Sequence, residues 1–343
     1  MPASAATRLL DHYRSHARVL PWRARPGADG QRIGLPDPYR IWLSEVMLQQ
    51  TTVATVIPRF PRFVERWPSV EALAAAPDEE VLGEWAGLGY YARARNLIAC
   101  ARQVARNGGF PDTEAGLRAL PGIGDYTAAA IAAIAFGRDA VAIVTNVVRV
   151  IARLEAISDK AAIRAAAAAM VPPGAAGDFA QAMMDLGATI CRPRRPACGD
   201  CPLAIDCRAL AMGTPEAFPV KAARKVRPVR FGVAWWIERE GAVWLVRRPA
   251  QGLLGAMAAL PGPDWGDSPT VGPESAPPLA DVRHGFTHFE LRLSVVACAV
   301  PQDGLANGGG WWQPINRLAE AGLPTLYRRA VEAVLEQRNQ LAA

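Results

Sequence analysis

Four cysteines, Cys191, Cys198, Cys201 and Cys207, stand in a C-x6-C-x2-C-x5-C spacing. Four thiolates at short loop distances can enclose a zinc ion or a four-iron cluster, since both take a closed tetrahedron of sulfur. The spacing leaves that choice open. In a reducing compartment such a group is a metal site before it is a pair of disulfides. Cys100 and Cys298 lie alone among apolar residues and read as core.

Leu120-Pro121-Gly122-Ile123-Gly124 ahead of an alanine-rich helix is a second chemical feature. Two glycines at i and i+2 let backbone N–H groups converge just before a helix N-terminus, which suits a phosphate. Such a grip locates a DNA backbone without reading sequence. Arg93, Arg95, Arg102 and Arg106 are candidates for further phosphate contacts, although runs of charge are usually solvated faces. Glu45 has Ile41, Trp42 and Leu48 among its helical neighbours. A carboxyl desolvated among them would favour its protonated form and suit a general acid. On pattern alone, the expectation is a glutamate at the edge of the helix's polar face.

Other motifs fail on context. Gly87-Leu88-Gly89-Tyr90-Tyr91-Ala92 spells GxGxxA but follows a helical stretch instead of a strand, so it is not a dinucleotide site. His12/His16 and His284/His288 have i,i+4 spacing without an obvious third ligand. No nucleophile elbow and no P-loop occur.

The elements that must position these residues follow from periodicity and breakers. From Leu9 to about Gly213 the pattern is helical. Pro36-Asp37-Pro38 opens a predicted helix through Ile41, Trp42, Val46 and Met47 to about Val56. Another begins at Asp78 and stops at Gly87-Leu88-Gly89; further helices are predicted over Thr127–Phe136 and Lys160–Met170. From Phe231 the texture becomes strand-like, at 233–237, 243–246 and 291–296. Between them, Ala211–Arg230 carries Lys221, Arg224, Lys225, Arg227 and Arg230 with three prolines, a stiffened basic connector.

Composition bounds the answer. The 343 residues are 51% hydrophobic and carry 38 Lys and Arg against 32 Asp and Glu, a net charge of +6. That excludes a collagen-like, disordered or disulfide-dense chain. The longest apolar run, Thr127 to Gly137, is too short to span a bilayer. Arg and His interrupt the first apolar stretch, so no signal peptide is expected. A cytosolic globular protein is the expectation, and the basic excess permits a polyanionic partner.

These pieces resemble one family. Leu43-Ser44-Glu45-Val46-Met47-Leu48-Gln49-Gln50-Thr51, Gly87-Leu88-Gly89-Tyr90-Tyr91, Leu120-Pro121-Gly122-Ile123-Gly124 and the cysteine spacing look like the MutY adenine DNA glycosylases of the helix-hairpin-helix superfamily. From Arg230 onward, including Phe286-Thr287-His288-Phe289, the chain is similar to that family's Nudix-like C-terminal domain. The implied fold is multidomain: an all-α helix-hairpin-helix glycosylase domain with an iron–sulfur module, then an α/β Nudix-like domain. The implied division is 1–213 for the helical region, with about 29–137 as the six-helix part and 1–28 plus 138–213 as the iron–sulfur module. Residues 214–230 would be the basic linker and 231–343 the recognition domain. Lacking the clustered glutamates of a Nudix hydrolase, that last part would recognise and not hydrolyse.

The resemblance implies excision of adenine opposite 8-oxoguanine or guanine in double-stranded DNA by a monomeric cytoplasmic protein holding a [4Fe-4S] cluster on Cys191, Cys198, Cys201 and Cys207. Gln50 and Tyr90 would wedge into the stack, with Thr51 and Leu88 beside the oxidised guanine and Thr287 and His288 sensing it. Gly122 and Gly124 would hold the backbone, with Arg192, Arg194 and Arg195 facing it. Trp22 and Arg23 would border the adenine pocket. Glu45 would protonate N7 and then handle the attacking water. Tyr126 stands where bifunctional relatives carry a Schiff-base lysine, implying a monofunctional enzyme.

One position departs. Ala142-Ile143-Val144-Thr145-Asn146-Val147 aligns with the family's Val-Asp-Gly-Asn segment, putting Val144 at the catalytic aspartate while the supporting Asn146 remains. Losing that anion beside a developing sugar cation costs roughly 3–5 kcal/mol of transition-state stabilisation. The nearest carboxylates in sequence are Asp139 and Glu155. The alternative is a non-catalytic mismatch-binding protein on the same scaffold; a thymine- or uracil-directed relative is a third, less favoured reading.

Overall fold

Side-chain caps set many of the helix starts. Ser4 accepts from the Thr7 N–H ahead of α1 (Ala5–His16), and Asp37 accepts from the Tyr39 N–H ahead of α2 (Pro38–Leu48), whose proline needs no donor at the first position. The computed structural model describes residues 4–24, 36–220, 227–249, 252–255, 257–269, 278–286, 288–299 and 310–342. Thr287 and the connector residues Lys221, Arg224 and Lys225 lie outside the described residues.

The helix expected to run to Val56 ends at Leu48. Thr52 takes over as a new N-cap, accepting from the Thr55 N–H, and opens α3 (Val53–Val56). A side-chain acceptor at that point stabilises a fresh start over continuation, because it satisfies a first-turn donor. Then come α4 (Arg59–Arg66), α5 (Val70–Ala75), α6 (Asp78–Glu84), α7 (Tyr91–Arg106) and α8 (Glu114–Arg118). The alanine-rich α9 (Asp125–Phe136) is buried from Thr127 to Ala135. Its small side chains let α2 and α12 (Ala176–Thr189) pack directly on it. Before α12 lie α10 (Thr145–Glu155) and α11 (Lys160–Met170); after it comes the short α13 (Arg208–Ala211).

Two apolar clusters hold this helical unit, Met1–Ala222. One gathers Trp42, Phe60, Phe63, Leu73, Trp85 and Ile131. The other joins α1 to α10, α11 and α12 through Leu9, Val150, Ile151, Ile163 and Met183. The chain's first helix therefore shares a core with the segment that leads into the cysteines.

The second unit, Ala223–Ala343, is α/β. β1 (Val229–Trp236) pairs parallel with β6 (Glu290–Ala297), and β5 (Ala280–Gly285) pairs antiparallel on its other side. A second sheet is built on β3 (Ala242–Arg247), which pairs with β2 (Glu238–Arg239), β4 (Ala258–Ala259) and β7 (Trp311–Pro314). α14 (Thr325–Ala342) packs on β5 and β6. The first strand begins at Val229 and not at Phe231, because the Glu290 N–H donates to the Pro228 carbonyl and draws Arg230 out of the connector into the ladder. No helix among the described residues is long and apolar enough to cross a membrane.

Candidate active site and DNA-facing loops

Glu45 sits on a helix that is buried along Ile41 to Met47 on every side, so it has no polar face on which a glutamate could stand. The edge-of-face expectation is corrected: the carboxyl is inside. Burial raises its pKa, opposed by a hydrogen bond from the Tyr126 hydroxyl and by the charge of Arg23. Tyr126, in the first turn of α9, is held well above the ordinary phenol range by burial and then by the neighbouring Glu45, so it remains a donor. Its hydroxyl also lies 3.7 Å from the Met184 sulfur on α12.

Arg23 is fixed from the other side. Its two terminal nitrogens meet the Asp185 carboxylate at 2.6 and 2.9 Å, a bidentate fork, and Arg18 Nε reaches the same carboxylate at 2.5 Å. Burial would raise the Asp185 pKa, but the two arginines hold it below the ordinary carboxylate range. Two buried carboxyls are thus shifted in opposite directions, Glu45 towards its protonated form and Asp185 towards its ionised form. Trp22 packs edge-on against Phe60, with ring centres 5.7 Å apart.

Val144 is the N-cap of α10, in extended backbone (φ −110°, ψ 168°), and offers no side-chain acceptor to the first turn. Its isopropyl group packs on the α10–α12 core. Asn146 accepts from Arg149 at 2.8 Å, and Arg149 also donates to the carbonyls of Gly187 at 2.7 Å and Cys191 at 2.8 Å. Asp139 accepts from the Gly174 N–H at 3.0 Å, and Glu155 pairs with Arg208 at 3.2 Å. Both carboxylates nearest in sequence are engaged away from position 144.

Two loops present the wedge candidates. Gln50 and Tyr90 both take left-handed backbone, with φ of 55° and 50°, and both are exposed, Tyr90 at 58%. Outliers of this kind persist only where neighbours over-determine them, and they concentrate at functional sites. The Leu88 side chain is buried, while its carbonyl accepts from Thr51 at 3.3 Å. Gly87 is at φ 88°, beneath the Arg59 guanidinium, a backbone conformation that any side chain would strain. Arg93, a candidate phosphate contact by sequence, is buried and donates inward to both loops. Arg102 is also turned back, onto Asp78 and the carbonyls of Ala74 and Ala76.

In the hairpin, Gly122 (φ 75°) packs on Asn96 and Gly124 is the N-cap of α9 without a side-chain acceptor; both are exposed while Ile123 is buried. In the second unit His288 is exposed in a turn closed by the Phe286 N–H on the Phe289 carbonyl at 2.9 Å. Phe286 and Phe289 stack there, with Trp265 beside them.

The four cysteines line one apolar cavity with Val150, Leu154, Leu186 and Leu203. Arg153 Nη1 lies 3.4 Å from the Cys191 sulfur. Burial pushes the Cys201 thiol up to about 11. Among the described residues no three of them close on a point that one ion could occupy. Four thiols around one apolar cavity are the donor set that a zinc ion or an iron–sulfur cluster takes.

Sequence reasoning missed Asp185, Met184 and the inward role of Arg93. An aspartate, a methionine and an arginine on long helices carry no spacing signal, and their partners are distant in sequence.

Residues 43–173 match the HhH-GPD superfamily of base excision DNA repair proteins, and residues 232–333 match the NUDIX domain. The chain is 36% identical to the adenine DNA glycosylase of Homo sapiens, over 85% of this chain and 66% of that protein. It is 33% identical to that of Mus musculus, over 96% of this chain and 78% of that protein. Among solved structures it is similar to a thermostable thymine-DNA glycosylase, with a TM-score of 0.54 and 30% identity over 60% of this chain and 95% of that one.

Proposed function

Because the chain belongs to the adenine DNA glycosylase family of base-excision repair, we propose that it binds duplex DNA carrying adenine opposite 8-oxoguanine or guanine and draws the adenine into the Glu45 pocket. One observation carries this reading: a buried Glu45, its pKa raised by that burial, framed by the Tyr126 hydroxyl and an Arg23 locked to Asp185. Taking a base out of the stack costs a few kcal/mol, which Gln50 and Tyr90 offset by occupying the vacated space. Glu45 then gives its proton to a purine nitrogen, and adenine becomes a better leaving group. Tyr126 cannot form a Schiff base, so the enzyme stops at base release. His288, exposed beside an aromatic cluster, supports a role for the second unit in sensing the opposite base.

Turnover is slow on this reading, because the sugar cation meets an isopropyl group at Val144 and the carboxylates nearest in sequence, Asp139 and Glu155, are engaged with Gly174 and Arg208. The same observation favours a second reading, a mismatch binder that does not cleave. Single-turnover excision from duplex with 8-oxoguanine opposite adenine separates them when run beside Val144→Asp. The expected result is measurable excision that Val144→Asp accelerates by roughly two to four decades. Excision absent from the parent chain and restored by the aspartate supports the binder; a parent chain as fast as Val144→Asp refutes the argument about position 144.

We also propose that Cys191, Cys198, Cys201 and Cys207 hold a [4Fe-4S] cluster. When bound, it cross-links the loop through iron–thiolate bonds and supplies no step of base release. Arg153 and the apolar lining shield its sulfurs. Iron and sulfide in equal amounts with broad visible absorption are expected; stoichiometric zinc in protein purified without oxygen would count against it. With DNA as substrate, its place is the cytoplasm, on the chromosome.

A further inference from the structure

The loops carrying Gln50 and Tyr90 are forty residues apart in sequence, yet one buried side chain holds both. Arg93 Nη1 donates to the carbonyls of Val46 and Met47, each at 3.0 Å, at the end of α2. Arg93 Nη2 reaches Thr51 Oγ1 at 2.9 Å and the carbonyls of Leu88 at 2.7 Å and Gly89 at 3.2 Å. Its guanidinium lies over the Trp85 ring, 5.2 Å from the centre, and 5.7 Å from that of Tyr90.

A buried cation is costly unless it is saturated with acceptors. Here five acceptors, the carbonyls of Val46, Met47, Leu88 and Gly89 and the Thr51 hydroxyl, bracket the left-handed residues Gln50 and Tyr90 and take both terminal nitrogens, leaving Nε without a partner. A packing role alone would be met by an apolar side chain of similar length. We propose that Arg93 is a positioning residue that presets Gln50 and Tyr90 for insertion, so that both wedges are ordered before DNA arrives. This rests on the wedge reading of those two residues. Preorganisation removes an ordering cost from mismatch binding. It leaves the phosphate-driven affinity for matched duplex almost untouched.

The test uses the full chain with its cluster. Kd is measured at one salt concentration for matched duplex and for duplex with 8-oxoguanine opposite adenine, together with the fluorescence of 2-aminopurine at the adenine position. Lysine keeps the charge but loses the planar fork that spans both loops. Arg93→Lys is expected to lower the mismatch preference and the 2-aminopurine signal about tenfold, with matched-duplex affinity within about twofold. Gln50→Ala alone should lower the preference similarly, and the two losses should not add in the double variant. Arg93→Met, which leaves no buried charge, is read in the same way where Arg93→Lys does not fold. Unchanged preference, equal loss on both duplexes, or additive losses with Gln50→Ala would overturn the proposal. Intact preference in Gln50→Ala would remove the wedge reading itself, and this proposal with it.

Discussion

Glu45 and Asp185 are both buried carboxyls, and their surroundings shift their pKa values in opposite directions. Burial dominates at Glu45, whereas two arginines outweigh it at Asp185. Environments that push two such groups apart are a usual source of acid and base assignments. The stability consequences have opposite signs. With its folded pKa raised, Glu45 contributes fully below the ordinary carboxylate range and loses that contribution as pH rises through the raised value. Asp185 contributes above the ordinary range and loses it as pH falls through its depressed value. Glu45→Gln should therefore abolish excision yet raise Tm at pH 7 by about 2–4 °C. That gain should vanish below a pH of about 4, where both states of the parent are protonated. Thermal unfolding at several pH values reads this, and a lower Tm at pH 7 would contradict the burial argument. The sequence made Glu45 visible as a carboxyl among apolar neighbours, but only packing on all sides of α2 shows that burial raises its pKa. Asp185 had no signal, since its partners stand more than 160 residues away.

The decisive element is α10. Its N-terminus carries neither a carboxylate nor an acceptor for its own first turn, because Val144 supplies neither. The two roles can be separated. Val144→Thr keeps the branched shape and adds a capping oxygen, so it should stabilise the protein by roughly 0.5–1 kcal/mol without changing the excision rate. Chemical denaturation and single-turnover kinetics measure the two effects. A rate gain in Val144→Thr would mean that order at the helix start, and not the anion, limits excision. The helix starts that were legible, as at Asp37-Pro38 and at Lys160 behind Asp159, were so because caps and prolines act locally. The end of α2 was not, because Thr52 competes for the backbone in a way that apolar periodicity does not register.

At the scale of the whole molecule, the cysteine segment stands out for how little it buries. The short turns Cys198–Asp200 and Ala204–Asp206 contain no buried residue. Leu203 and Ala209 tie it to the helical core, and on the proposed cluster reading an iron–thiolate cross-link supplies the rest of its order. Removing iron by chelation should raise hydrogen exchange across 191–213 and weaken DNA binding, while α2, α7 and α9 stay protected. Loss of protection throughout the helical unit would show the cluster to be part of the global fold.

The amino-acid sequence by itself determined the family, the two textures of the chain, the spacing of the four cysteines and the valine at position 144, because each is carried by local spacing or by a run of residue types. Only the tertiary structure decided that Glu45 is desolvated, that Asp185 fixes Arg23, that Arg93 faces inward to join two strained loops, and that the nearby carboxylates are engaged elsewhere. Those are statements about burial and about partners distant in the chain, and such contacts exist only once α1, α2, α7, α9 and α12 have packed.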